Sequence, residues 1–393
     1  MQRSPLKTSL ALLLSGAIAM ACAQIAGIED REFEGDAAAR ERQATCQEYC
    51  NTVADACPYP GQPTLHSKDY TSEEICLATC NLLPTGSVDE PASTQNSVRC
   101  RLNAALQAKN ASDAEKDDFC QAAGPGGNGD CGSNCESYCL LVEQACDGIN
   151  AVVPDCENKC RAFGDSKRFE VGNAMEQADH SGDTVQCRLV HASSAAVDPE
   201  GHCGHADFHS SNWCVLEEPS CEHYCQVLHY ACTGSNRVYG SDEQCMTACE
   251  ALELGDDVRD DTGDNIGCRT WHAVSALSSP GTHCPHAGPT GDGHCGLDDK
   301  DEGTFGPCRP YCRLLEAACG ERFAQTWDDQ AACVSECDQS DESFGASGNQ
   351  GYSVEAALAS GDTLMCRTLL AVRALYDGDP FNCDAAFGAA PCD

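Results

Sequence analysis

The chain alternates between short segments in which apolar residues recur at helical spacing and polar stretches that are rich in glycine, proline and acids. Cysteine marks the helical spacing. In the segment that begins at Cys221, further cysteines follow at Cys225 and Cys232. At 100° per residue these three positions fall within about 40° of one another on a helix, so they form one stripe. Cys245 and Cys249 repeat the four-residue step. The pattern predicts two adjacent helices.

This cysteine pattern belongs to a unit of eight cysteines that occurs four times. The first cysteines of the units are 89, 86 and 87 residues apart. In the third unit the cysteines are Cys221, Cys225, Cys232, Cys245, Cys249, Cys268, Cys284 and Cys295. A fixed period of this kind predicts a tandem array with repeats at residues 46–131, 132–214, 215–295 and 296–393. We predict an all-α, small, disulfide-rich fold of four three-helix units with loop-rich tails.

Three further positions recur in every repeat. A tyrosine precedes each second cysteine, and we expect it to pack in the core with a hydrogen-bonded hydroxyl. An arginine follows each sixth cysteine, and we expect it to clamp an internal acid or carbonyl. An Asn or Asp four residues before the sixth cysteine is predicted to cap the third helix. These positions are Tyr49, Tyr138, Tyr224, Tyr311; Arg101, Arg188, Arg269, Arg367; and Asn96, Asp183, Asp264, Asp362.

Helix geometry restricts the disulfide pairing. Two cysteines four residues apart on one helix point the same way and bond across to a neighbouring helix. The first cysteine is therefore expected to pair with the fifth, and the second with the fourth, across a helical hairpin. This arrangement resembles α-hairpinin scaffolds over about half of a unit. We assign the third cysteine to the sixth and the seventh to the eighth, within the turn-rich tail.

Composition places the chain in an oxidising compartment. It has 33 cysteines among 393 residues, and aromatic residues make up 6%. Small units with little core depend on cross-links, which form outside the cytosol. The net charge is −38, and it becomes about −40 once the two basic residues of the leader are removed. Such a surface repels nucleic acid, so we expect no nucleic-acid partner.

The N-terminus has the features of an export signal. Arg3 and Lys7 precede an apolar run of residues 10–20 that is too short to span a bilayer. Residues 19–22, Ala-Met-Ala-Cys, resemble the lipobox of bacterial lipoproteins. The resemblance implies a signal peptide over 1–21, lipidation at Cys22, a tether over 22–45 and attachment to the cell-envelope membrane. Cleavage at the small residues Ala21 and Ala23 would instead secrete the protein without a lipid.

Histidines are the sharpest candidates for chemistry. They occupy three matched places in each middle repeat, four residues after the sixth cysteine and on both sides of the seventh. The candidates are His191, His202, His205, His272, His283 and His286. Three imidazoles are a suitable ligand set for zinc or copper. Histidines that merely hydrogen-bond loop carbonyls are the alternative. The terminal repeats have Ala104, Phe119, Ala122 and Leu370, Asn382, Ala385 at these places.

The sequence therefore predicts an extracytoplasmic, lipid-anchored structural or interaction protein with an unknown protein or surface partner. The repeats resemble uncharacterised cysteine-rich secreted proteins of bacteria, which brings no known activity. The alternative function is metal binding by the histidine trios; beyond zinc or copper we expect no cofactor. No nucleophile elbow, phosphate-binding loop or zinc-protease motif is found, and we predict no enzymatic activity.

Overall fold

The computed structural model describes residues 40–43, 45–58, 67–87, 95–165, 182–210, 213–216, 218–296, 307–339, 351–359 and 361–392. Within these ranges the chain is helical without a strand, which confirms the all-α class. None of the helices in these ranges is long and apolar enough to cross a membrane. The predicted signal peptide, Cys22 and most of the tether lie outside the described residues.

In the part of the chain that the structure describes, repeats 1 to 3 each contain four α-helices and repeat 4 contains five, rather than the predicted three. Repeat 1 contains helices at 45–56, Glu73–Leu82, Val98–Asn110 and Asp113–Ala123. Repeat 2 contains Asn134–Ala145, Cys156–Cys160, Val185–Ala195 and Pro199–Ala206. Repeat 3 contains Cys221–Ala231, Asp242–Glu250, Ile266–Ala276 and Pro280–Ala287. Repeat 4 contains Cys308–Thr326, Gln330–Gln339, Leu364–Asp377 and Pro380–Ala386, with Val354–Ala359 before its third long helix.

The fourth helix carries the seventh cysteine, and the prediction of a loop there was wrong. These helices are short and lack a clear apolar period. In three repeats the sequence nevertheless contains a signal for the start of this helix, because an Asp or Ser at the N-cap is followed by proline at the first helical position. The pairs are Asp198–Pro199, Ser279–Pro280 and Asp379–Pro380. The turn-rich tail begins only after this helix.

The cap of the third helix lies one residue later than predicted. A hydroxyl or amide oxygen three residues before the sixth cysteine accepts a hydrogen bond from that cysteine's backbone N–H. The capping residues are Ser97, Thr184, Asn265 and Thr363. This spacing reaches the third backbone N–H of the helix, which a residue one place earlier does not. The preceding Asp side chains bind arginine instead.

The structure pairs all 32 cysteines from Cys46 onward. The predicted first–fifth and second–fourth bonds are confirmed in every repeat, as Cys221–Cys249 and Cys225–Cys245 show for repeat 3. The predicted third–sixth and seventh–eighth bonds are wrong. Repeat 3 instead forms Cys232–Cys284 and Cys268–Cys295, and the other repeats have the same topology. The unpredicted fourth helix is the reason, because it brings the seventh cysteine beside the end of the first helix.

The recurring tyrosines and the arginines of repeats 1 to 3 form the polar part of the core, as predicted, whereas Arg367 of repeat 4 is partly exposed and pairs with Asp362 at the surface. Each tyrosine hydroxyl donates to a carbonyl at the end of the fourth helix, at 2.5 Å from Tyr224 to Ala287; the others are Tyr49, Tyr138 and Tyr311. Arg101, Arg188 and Arg269 are at most 1% exposed and donate to carbonyls just after that helix. They tie the start of the third helix to the tail.

Neighbouring repeats are joined through the same arginines. Arg101 donates to Ser137 of repeat 2 at 2.9 Å. Asp183, paired with Arg188 at 2.5 Å, also contacts the imidazole of His223 in repeat 3 at 2.6 Å. Burial opposes ionisation of Asp183, but the charges of Arg188 and His223 outweigh it and lower the pKa of this carboxyl. The repeats therefore meet across buried polar contacts as well as apolar ones.

Candidate metal centre

In repeats 2 and 3, the third and fourth helices bring histidines together. The first histidine of each set lies one turn after the sixth cysteine on the third helix. The other two lie three residues apart on the fourth helix, and residues with this spacing share one helix face. The disulfide of the seventh cysteine fixes the fourth helix against the first. The scaffold thus holds both sources of imidazole in place.

His272 is the buried centre of the cluster in repeat 3. Its side chain is 3% exposed. Its Nδ1 lies 3.0 Å from the Nδ1 of His283, and its ring centroid lies 4.8 Å from that of His286. The predicted trio is therefore brought together around one histidine.

A backbone contact sets the tautomer of His272. Its Nε2 lies 3.1 Å from the carbonyl oxygen of Asp261. Because a carbonyl can only accept, Nε2 carries the proton and Nδ1 presents its lone pair to the other imidazoles. Histidines that bind metals characteristically donate their second ring N–H to a carbonyl or carboxylate in this way.

A fourth histidine, His294, joins this cluster and was missed by the sequence reasoning. Its ring centroid lies 3.9 Å from that of His286 and 5.5 Å from that of His272. His272, His286 and His294 offer ligand nitrogens within 4.8 Å of one another, while His283 contacts His272. His294 immediately precedes the eighth cysteine in the glycine-rich tail. The Cys268–Cys295 bond returns that tail to the third helix, and this pairing was the one predicted wrongly.

Repeat 2 contains the predicted trio without a fourth histidine. His191, His202 and His205 offer ligand nitrogens within 4.8 Å of one another. The Nδ1 atoms of His191 and His202 are 3.1 Å apart, which nearly repeats the distance in repeat 3. His191 is buried, whereas His202 and His205 are half-buried. The position before the eighth cysteine holds Trp213, whose ring centroid is 6.0 Å from that of His191.

The clusters favour neutral imidazoles. Burial, with a smaller contribution from the neighbouring His286, lowers the pKa of His272 to about 3. Burial lowers the pKa of His286 to about 4, with added repulsion from His294 and His283. The pKa values of His202, His205 and His283 are also lowered, chiefly by burial. At neutral pH these rings have lone pairs available for a metal.

The nearest nitrogens of each cluster form a hydrogen bond whose length is close to the nitrogen spacing around a tetrahedral zinc ion. Two nitrogens bound to one tetrahedral zinc lie about 3.3 Å apart, given Zn–N bonds of about 2.0–2.1 Å. The Nδ1 pairs, at 3.0 and 3.1 Å, are close to this separation. The sulfur atoms of Cys187–Cys214 and Cys268–Cys295 lie beside the clusters but are committed to disulfides. Imidazole is thus the available donor.

The terminal repeats use the same places for core packing. Ala104 and Ala122 are buried in repeat 1, and Leu370 and Ala385 are buried in repeat 4. Phe119 packs against the core, and Asn382 donates to Asp377. Among the described residues, the histidine clusters are confined to repeats 2 and 3.

The two middle repeats also meet at an imidazole. His209, at the end of repeat 2, stacks on Trp271 of repeat 3 with ring centroids 4.8 Å apart. Its Nε2 lies 2.6 Å from the hydroxyl of Ser275. Burial lowers the pKa of His209 to about 4, and the positive charge of Arg188 adds to the effect. This ring supports the junction in its neutral form.

Comparison with known proteins gives a match to one repeat. Residues 210–299 match the BfoA family C-terminal domain. Over 78 residues, 19% of this chain, 37% are identical to Aurasperone B biosynthesis cluster protein A of Aspergillus niger, of which 25% is covered. Bifonsecin B biosynthesis cluster protein A of Aspergillus brasiliensis is 36% identical over 78 residues, again 19% of this chain and 25% of that protein. The chain thus spans about a quarter of the length of these curated relatives.

No solved structure matches the chain. The stretch similar to the BfoA family C-terminal domain is the repeat with four clustered histidines.

Proposed function

We propose that the protein is an extracytoplasmic metal-binding repeat protein that holds zinc or copper in its two middle repeats. One observation carries the proposal: each of these repeats places three imidazoles with ligand nitrogens within 4.8 Å of one another. Imidazole nitrogen suits both metals. Sixteen disulfides indicate an oxidising compartment, where free thiolates are scarce and histidine is the natural donor.

Two nitrogens without protein partners strengthen the proposal. The Nδ1 atoms of His205 and His286 are buried and have no hydrogen-bond partner within the described ranges. These two histidines occupy the same place in the two repeats. Buried polar atoms almost always find a partner, and a bound ion is one of the explanations for an exception. A metal would satisfy the same atom in both clusters.

We further propose that the protein is attached to the cell-envelope membrane. A lipid on Cys22 would anchor the array to the cell-envelope membrane, with residues 22–45 as the tether. The resemblance of residues 19–22 to a lipobox supports this anchor. Mass spectrometry of the N-terminal peptide tests it. We expect an acylated Cys22 as the first residue; an unmodified N-terminus at Ala23 or beyond would indicate plain secretion instead.

A structural or interaction role is the second candidate. It is favoured by repeats 1 and 4, which keep the scaffold and fill the histidine places with apolar or amide side chains. Under this role the array would present a surface to a partner, and the histidines would only hydrogen-bond within the core. Metal content separates the two functions.

The test is metal analysis of the full chain purified without chelator, followed by zinc and copper titration by calorimetry. We expect two ions per chain. His205→Gln should remove one ion and His286→Gln the other, because each removes an unpartnered ligand nitrogen. His229→Gln is the matched control, since His229 is exposed and paired with Asp242 at 2.9 Å. Uptake by the wild type that is no greater than that of the double variant His205→Gln/His286→Gln would contradict the proposal.

A further inference from the structure

The two histidine clusters differ at the residue before the eighth cysteine. In repeat 3 this residue is His294, whose ring lies 3.9 Å from that of His286 between centroids. In repeat 2 it is Trp213, with ring centroids 6.0 Å from His191 and 6.2 Å from His205. The same backbone position therefore supplies a fourth imidazole to one cluster and an indole to the other.

The donor chemistry of these rings is not equivalent. An imidazole has a lone pair that can bind a metal, whereas the indole N–H can only donate a hydrogen bond. Repeat 3 thus has four imidazoles in one cluster: His272, His286 and His294 offer ligand nitrogens within 4.8 Å of one another, and His283 joins them through its 3.0 Å contact with His272. Repeat 2 has three imidazoles and an aromatic wall. Zinc sites filled by four protein ligands are closed, while sites with three protein ligands keep a position for water or another small ligand.

We propose that repeat 3 holds a closed, four-imidazole metal site, whereas the site in repeat 2 keeps an open position for an exchangeable ligand. This inference rests on the proposed metal binding. The ligand class is water, hydroxide or a small monodentate anion. Three neutral imidazoles leave the double charge of the metal uncompensated, which attracts an anion. The chain's net charge of −38 disfavours large polyanions, so a small ligand is selected.

Both clusters reach the surface, because His283 and His286 are half-buried like their counterparts and His294 is exposed, so the donor set alone assigns the open position to repeat 2. His202 and His205 are half-buried, and Trp213 is 38% exposed, so the repeat 2 cluster reaches the surface. A small ligand can therefore approach without opening the fold. In repeat 3 the exposed side of the cluster is the place taken by His294.

The test uses cobalt(II), whose visible spectrum reports its coordination, with the full chain and azide as the small anion. His286→Gln/His294→Gln leaves only the repeat 2 site, and His202→Gln/His205→Gln leaves only the repeat 3 site. We expect azide to shift the spectrum saturably in the first protein and to leave the second unchanged. Equal responses of the two proteins would overturn the inference.

Exchanging the differing residue gives an independent test. In the protein that keeps only the repeat 2 site, Trp213→His should abolish the azide response and tighten zinc binding, because it adds a fourth imidazole that closes the site. Trp213→Phe is the control and should keep the response. An azide response that persists in Trp213→His overturns the inference. If the two single-site proteins take up no cobalt or zinc, the proposed metal binding itself has failed, and that result is distinct from metal uptake with equal azide responses.

Discussion

The middle and terminal repeats share one scaffold but differ at three matched positions, which hold core-packing side chains in the terminal repeats and histidines in the middle repeats. In repeat 4 these positions hold Leu370, Asn382 and Ala385, and they complete the core. In repeat 3 they hold His272, His283 and His286, whose lowered pKa values show that burial opposes their charge. The disulfides and the buried tyrosine are the same in both.

The residues that stabilise the fold are therefore different from the residues that could bind a metal. Four disulfides and a buried tyrosine recur in each repeat and hold its helices together, and repeats 1 to 3 add a buried arginine. The histidine positions are therefore free to vary without loss of the fold. A protein built in this way can add a binding site to one repeat while leaving its neighbours as structural units.

Reduction of the disulfides should have the largest effect and should not distinguish the repeats. Each disulfide contributes about 2–4 kcal/mol, so the four disulfides of one repeat together exceed the roughly 3–5 kcal/mol that a core of this size supplies. We expect a strong reductant to abolish the far-UV circular dichroism of the helices, while a chelator leaves it intact. Retention of helicity after complete reduction and alkylation would contradict a shared covalent scaffold.

Removal of the buried arginine should have the next largest effect, and it should differ between a middle and a terminal repeat. Arg269→Met removes the 3.1 Å partner of the buried Asp264 and leaves this carboxylate with the longer 3.5 Å contact to Arg313, so we expect a cost at the lower end of the roughly 3–5 kcal/mol for breaking a buried pair. Arg367→Met should cost less, because Asp362 is 43% exposed and remains hydrated. Urea unfolding with intact disulfides measures both.

The control for these variants is Arg259→Met. Arg259 is 54% exposed and pairs with Asp257, so we expect its free energy of unfolding to stay close to that of the wild type. If Arg269→Met were no more destabilising than Arg259→Met, the buried arginine would not be part of the scaffold.

Acid should weaken the junction between the two middle repeats through His209. Its pKa falls from an ordinary 6.5 to about 4 on folding. Above pH 6.5 the ring is neutral in both states, and it has no effect on stability. Between pH 6.5 and 4 the unfolded chain binds a proton that the folded chain excludes, so the free energy of unfolding falls by about 3 kcal/mol.

The measurement is urea unfolding at pH 7, 5.5 and 4, compared between the wild type and His209→Asn. The variant should lose less stability on acidification, and the difference isolates this ring from other titrating groups. His229→Asn, at an exposed position, should follow the wild type. Identical acid profiles of the wild type and His209→Asn would show that the junction does not depend on the neutral ring.

Replacing the repeat 3 trio with its repeat 4 counterparts should have the smallest effect on stability. His272→Leu/His283→Asn/His286→Ala introduces side chains that the scaffold already accepts, so we expect a change of less than about 1.5 kcal/mol without metal. Metal uptake should fall by one ion per chain. A large loss of stability would show that the imidazoles are structural, and it would support the second candidate function.

The sequence predicted the scaffold better than the site. The all-α class and the hairpin disulfides followed from periodicity, because two cysteines four residues apart on one helix can only bond across to a neighbouring helix. The roles of the tyrosines and arginines followed from their recurrence in every repeat. The third–seventh and sixth–eighth bonds did not follow, since their cysteines lie on elements whose relative position depends on packing. His294 was missed for the same reason.

What the sequence determined by itself is local and repetitive: the period, the helical stripes, the caps within one residue and the matched histidines of the two middle repeats. Only the tertiary structure decided that the fourth helix packs against the first helix, and that the tail is bonded to the third helix. These contacts join residues far apart in the chain, and loop lengths between the fifth and sixth cysteines do not fix their direction. The juxtaposition of His294 with His286, and of Trp213 with His205, is a product of that closure.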